Sequence, residues 1–161
     1  MAGPGVKNLG ITSDVWSDHT DIQPTILSLV DLSDSYETDG RVLTEFLDEH
    51  GHGHAADLTE LASIYKQINA PFGQLSFDVL AASTRALASG SSTDDSTYAA
   101  ISDRIAALTT DRDALAGQMR TVLNEAAFGD HQPNQDDVDE LTMEGKTLLM
   151  RAHQLGVAGS P

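Results

Sequence analysis

The chain has 161 residues, enough for one ordinary domain with a respectable core. Its 25 acidic and 9 basic residues leave a net charge of −16, which excludes a phosphate-backbone binder, because that needs a basic face. There is no cysteine, so disulfides, thiolate metal sites and a cysteine nucleophile are excluded, and no apolar run approaches the ~18 residues of a membrane span.

Aromatic residues make up only 5% of the chain, and a composition rich in Ala, Leu and Asp leans towards helices packed through small and medium side chains. The first residues lack the apolar stretch of a signal peptide. Residues 6–11 read as a short strand interrupted by Gly10, and residues 13–18 as a turn. A helix is expected to begin at Thr20 or Asp21, whose side-chain oxygen can cap the free amides of its first turn, with Pro24 tolerated there. Ile22, Ile26, Leu29 and Val30 then recur at helical spacing. Asp39-Gly40 marks a turn, and Val42, Leu43, Phe46 and Leu47 suggest one further short helix.

The composition changes near residue 50, where Glu49-His50-Gly51-His52-Gly53-His54 reads as a polar linker over 49–55. Four helices follow in 56–157. Leu58, Leu61, Tyr65 and Ile68 form the first apolar stripe, and Leu75, Val79, Ala82 and Ala86 the second. In the third helix Ile101, Ile105, Leu108, Leu115, Met119, Val122 and Ala126 keep heptad-like spacing, with Arg112 in one inward slot. An arginine there packs its stem and sends its head to the bundle edge or to a carboxylate. Val138, Leu141, Gly145, Leu148, Ala152 and Leu155 repeat the pattern after a Pro-containing loop, so the last two helices read as a long antiparallel hairpin.

Three stretches could carry chemistry. Asp18-His19-Thr20-Asp21 gathers carboxylates and an imidazole at a helix mouth, where they could bind a metal, act as a base or face a substrate. The plain alternative is that they cap the helix and complement its positive end. His50, His52 and His54 alternate on an extended segment and could share a transition metal adventitiously, although the glycine spacers favour a solvated linker. The acidic stretch 130–137 offers oxygen ligands but lacks the spacing of a calcium loop, and a capped inter-helix loop explains it. The nucleophile elbow, the P-loop, the zinc-protease motif and the dinucleotide glycine fingerprint are all missing.

Gly3-Pro4-Gly5-Val6, then Ser17 through Leu27 (SDHTDIQPTIL), then Asp39-Gly40-Arg41-Val42-Leu43 together resemble the end of an alkaline phosphatase/sulfatase-superfamily catalytic domain, closest to its actinobacterial phosphoesterases. In that superfamily a Gly-Pro follows a late strand, a "TDhxPTlL" helix comes next and a "DGRsL" turn closes the domain. The resemblance covers about residues 3–47, and 55–156 only in general character. It implies an enzyme with two metal ions, usually zinc, that hydrolyses phosphoric or sulfuric esters. It also implies that nucleophile and metal ligands lie in earlier segments, before Met1 here. His19 falls where family members carry other residues, and Asp21 matches a recurrent Asp that would cap the helix and brace the end of the domain.

The expected architecture is therefore mainly α. A short α/β remnant, residues 1–48, forms the end of an alkaline-phosphatase-like domain. The linker 49–55 and a helical extension, 56–157, with its long hairpin follow. A sheet edge cannot be built from residues 3–11 without neighbouring strands, so the remnant should pack poorly alone. The expected function is that of a C-terminal fragment of a metal-dependent ester hydrolase. It would be inactive alone, hold no cofactor and have the missing catalytic portion as its partner; neither nucleic acid nor a membrane is implied. A parent enzyme of this kind would use a two-zinc centre and be exported or associated with the cell envelope. The competing readings are a free-standing acidic helical interaction module and a small metal-binding protein that uses the histidine tract.

Overall fold

The apolar periodicity of the second part is satisfied by helices packing on one another. The computed structural model describes residues 3–32, 35–36, 38–48, 55–89, 95–128 and 133–158. A short helix α1 (Ile22–Leu29) is followed by four longer ones: α2 (Ala55–Asn69), α3 (Gln74–Ser89), α4 (Ser96–Phe128) and α5 (Gln135–Val157). The protein is mainly helical, and no strand occurs among the described residues. None of these helices is long and apolar enough to cross a membrane.

Helices α2 to α5 share one core. Leu61, Tyr65 and Ile68 of α2 meet Leu75 and Ala82 of α3, Leu108, Leu115 and Met119 of α4, and Leu141, Leu148 and Ala152 of α5. These are the stripes that the sequence periodicity marks, and they exclude water along the full bundle. Helices α4 and α5 run antiparallel. Asp111 pairs with Arg151 at 2.7 Å, whereas Gln118, two turns further along α4, lies in the same groove as Glu140, nearer the start of α5. The first turn of α4 projects from the core, with Ser96 to Ala100 all exposed, and Ile101 is the first residue to pack against it. At the bundle centre Gly145 brings the α5 backbone against Ile64 and Met119, and an added Cβ would overlap both side chains. Asn134 caps α5 by accepting the Asp136 amide at 3.1 Å, and Asp136 and Asp137 complement the positive helix end. Arg112 is partly buried with Nε 2.6 Å from Asp113, an approach too bent to count as a hydrogen bond.

The first part sits on one end of this bundle. Val42 and Leu47 pack with Ala127 of α4 and Leu29 of α1 to form a second, small apolar cluster. Three local expectations are corrected here. Residues 6–11 form no strand: a single antiparallel bridge joins Val6 to Leu47, carried by the Lys7 amide to the Phe46 carbonyl at 2.8 Å and the Asp48 amide to the Gly5 carbonyl at 2.9 Å. Two bonds without further strands cannot propagate a ladder, and Gly10 at φ +66° turns the chain away. Residues 42–47 form only a single 3-10 turn, Thr44–Phe46, rather than a helix. The cap before α1 is Asp18, because a 3-10 turn, His19–Asp21, precedes the helix.

Helix α1 is seated differently from the bundle helices. Its buried residues are Pro24, Thr25 and Ser28, while Ile22, Ile26 and Val30 are each about half exposed. Thr25 and Ser28 thus face the molecule together with Pro24 and Leu29, while Ile22 and Ile26 face solvent. Asp31, at φ +56°, ends the helix in the left-handed region.

Candidate functional site

The Asp18-His19-Thr20-Asp21 segment is drawn tight by its own side chains. The Asp18 carboxylate accepts the Thr20 amide at 2.8 Å, and Asp21 Oδ2 accepts the Asp18 amide at 2.9 Å, the reciprocal pattern of a capping box. Asp21 is fully buried, and its other oxygen accepts the Arg41 amide at 2.9 Å and lies 2.6 Å from Lys66 Nζ. Lys66, on α2, is only 2% exposed and also reaches Asp18 Oδ2 at 3.1 Å. One ammonium therefore sits between two carboxylates, each further satisfied by backbone amides, the arrangement that makes buried charge tolerable.

The second sequence element, Asp39-Gly40-Arg41-Val42-Leu43, closes against the first. Gly40 lies directly on the backbone of Thr20, where a Cβ would overlap the Thr20 carbonyl. That close approach lets the Arg41 amide reach Asp21. Two residues on, the Leu43 amide donates to Thr25 Oγ1 at 3.0 Å, and the same hydroxyl donates to the Asp21 carbonyl at 2.6 Å. The buried Arg41 guanidinium grips Glu45 through two bonds of 2.8 and 2.9 Å. Tyr65 of α2 adds a tie from the bundle, its hydroxyl donating to the Asp39 carbonyl at 2.9 Å while accepting from Asn69 at 3.0 Å.

These surroundings set the titration of two groups. Burial pushes the Asp18 carboxyl up, but the Thr20 hydroxyl and amide and the Lys66 ammonium outweigh it, and the group titrates below its ordinary value. The Tyr65 hydroxyl is pushed up to about 12, chiefly by burial.

The oxygens of Asp18 and Asp21 are thus spent on amides, the Thr20 hydroxyl and one ammonium. Their geometry makes a lock between segments: Asp21 is buried in it, while Asp18 keeps about a quarter of its side chain exposed along an open groove. His19 is exposed, in the wall of an open groove of about 660 Å³ whose apolar side comes from Ile11, Ile22, Ile26 and Phe46. Among the described residues no three His, Cys, Asp or Glu side chains come together as a metal site. His50, His52 and His54 lie outside the described residues.

Sequence reasoning missed Lys66. Its signal was a lysine set within the apolar side of α2, but its partners lie more than 40 residues earlier and no local pattern names them. It also missed His153, which stands 3.3 Å from the largely buried Asp78 across α5 and α3. Compared with known protein families, curated proteins and solved structures, the chain matches none.

Proposed function

We propose that this chain is the C-terminal part of a metal-dependent phosphoric or sulfuric ester hydrolase. In that reading residues 1–48 close an alkaline-phosphatase-like α/β domain, and α2 to α5 form its helical extension. One observation carries the reading: α1 turns Thr25 and Ser28 inward and leaves Ile22 and Ile26 half exposed, lining one groove with exposed Leu9 and Ile11. A helix in water normally does the reverse. An apolar flank on this scale is the face that the remainder of a catalytic domain would cover. Its polar flank is meanwhile bonded through the very residues that carry the family resemblance, Asp21, Thr25, Gly40, Arg41 and Leu43.

The parent's two metals would stabilise the attacking and leaving oxygens of the ester. Residues of this chain would position that machinery from behind rather than bind it, since Asp18 and Asp21 are already engaged. The upstream reading frame tests the proposal. In-frame codons for a Ser or Thr nucleophile and an Asp/His metal set are expected ahead of Met1. A stop codon with a ribosome-binding signal directly before Met1 would overturn it, as would hydrolysis of a nitrophenyl phosphodiester or sulfate by these 161 residues with zinc alone. The alternative, a free-standing acidic helical interaction module, draws on the self-contained core of α2 to α5.

A further inference from the structure

Helices α4 and α5 turn one apolar stripe each into the bundle and leave a groove between them on the outer side of the hairpin. Two adjoining hollows, of about 550 and 520 Å³, make up this groove and share Gln118, Glu140 and Glu144. Its floor is apolar, built from Leu115 and Val122 of α4 and Leu141 and Leu148 of α5. Met143, 65% exposed, stands in its wall. Along α5 the groove runs from Asp137 to Arg151, roughly 20 Å at about 1.5 Å per residue, which is the length of a helix of about four turns.

The rim has the opposite character. Among the described residues Asp111, Asp137, Glu140 and Glu144 line it against a single cation, Arg151, which is spent on Asp111 at 2.7 Å. No described lysine, arginine or histidine pairs with Asp137, Glu140 or Glu144, and Lys146, close by in sequence, turns to Glu60 of α2 instead. The positive end of α5 compensates Asp137, but Glu140 and Glu144 lie beyond its first turn. They stand four residues apart, a spacing at which like charges weaken a helix. A cation supplied from outside relieves that repulsion, and the apolar floor asks that it arrive with apolar side chains. A small cation satisfies only the rim. A helix whose lysines or arginines flank one apolar stripe satisfies both, and a methionine adapts its shape to such a stripe. The net charge of −16 draws a basic partner in and turns away an acidic one, a second copy of this chain included.

We propose that the outer α4–α5 groove receives a basic amphipathic helix of a partner protein. That helix lies along the hairpin with its apolar stripe on Leu115, Met143 and Leu148 and its cations at Glu140 and Glu144. This stands independently of the hydrolase reading, because every residue it uses belongs to the hairpin. The probe is a fluorescently labelled peptide of about 16 residues, leucine and lysine in helical amphipathic order, titrated with the whole chain and followed by anisotropy. Saturable one-to-one binding is expected, with amide NMR shifts centred on residues 111–122 and 137–151. Glu140→Gln with Glu144→Gln should weaken binding at least about tenfold, while the thermal midpoint holds or rises as like charge is removed. Asp103→Asn with Glu125→Gln takes the same charge from α4 outside the groove and should change affinity less than about threefold. A serine/lysine peptide of equal charge should bind at least about tenfold more weakly. Absence of binding, equal losses from the two double variants, or equal affinity for the serine/lysine peptide would overturn the proposal. Shifts centred on the exposed side of α3 would overturn it too.

Discussion

Lys66 and Asp21 show how a single pair can hold two parts of a chain together. Both are buried; without Lys66 the Asp21 carboxylate would have no cation beside it, whereas Lys66 would keep only Asp18. Replacing Lys66 by Met removes the charge but keeps much of the volume, and it leaves the Asp21 carboxylate buried without its cation. A loss of about 3–5 kcal/mol is expected from urea unfolding of Lys66→Met, since breaking one side of a buried pair costs that much. A loss below 1 kcal/mol would mean that the backbone amides alone suffice for Asp21. The surrounding titrations bound the pH range of stability. The Asp18 carboxyl titrates lower in the folded protein than its ordinary value of 3.8, so its contribution is present above that value and fades as pH falls through the folded one. Tyr65 behaves in the opposite sense. Its proton is held to about 12 when folded but leaves near 10.0 when unfolded, so its contribution is present below 10.0 and fades as pH rises. Unfolding free energy measured against pH should therefore fall at both ends, and Tyr65→Phe should flatten the alkaline fall.

At the scale of the element, the bundle was legible because its apolar positions recur over many turns. Leu58 to Ile68, the α4 heptads and Val138 to Leu155 all face inward, as their spacing implies. Helix α1 was not legible in the same way. Its periodicity identified an apolar side correctly but not the direction of that side, because inside and outside are properties of the neighbours. The expected consequence is an inverted mutational response. Ile22→Ser with Ile26→Ser should change the stability of these 161 residues by no more than about 0.5 kcal/mol, the usual range for exposed sites. Thr25→Val, which strands the buried Leu43 amide, should cost about 1–3 kcal/mol. Thermal melts of the two variants would reverse that order if α1 were seated the ordinary way round. Two helical glycines make a similar contrast. Gly117 has open space around its Cα, so Gly117→Ala should stabilise by roughly 0.5–1 kcal/mol through helix propensity. Gly145→Ala gains the same propensity but drives a methyl into Ile64 and Met119, and overpacking of about 1–3 kcal/mol should outweigh it.

Across the whole molecule, the closing segment and the bundle are joined by few but well-made contacts. Lys66 and Tyr65 reach from α2, and Ala127 meets Val42 and Leu47 from α4. The sequence marked Asp18, His19 and Asp21 as noteworthy, and two of these three do lie at the centre of the contact. Their task could not be read locally, because the deciding partners, Arg41 and Lys66, come from segments 20 and 45 residues beyond Asp21. The short strand at 6–11 failed for the related reason that a strand needs neighbours to be one. The closing segment has a polar flank bonded to the rest of the molecule and, at Ile22 and Ile26, an apolar flank left open. The proposal that a catalytic portion covers that open flank makes a direct claim about the polypeptide as the cell makes it. The decisive measurement is the intact mass and peptide map of the native polypeptide, isolated with an antibody against α4 and α5. A chain several times heavier than 17.1 kDa is expected, with peptides preceding Met1 that carry an Asp/His metal set. A native polypeptide of 17.1 kDa that starts at Met1 would contradict the account.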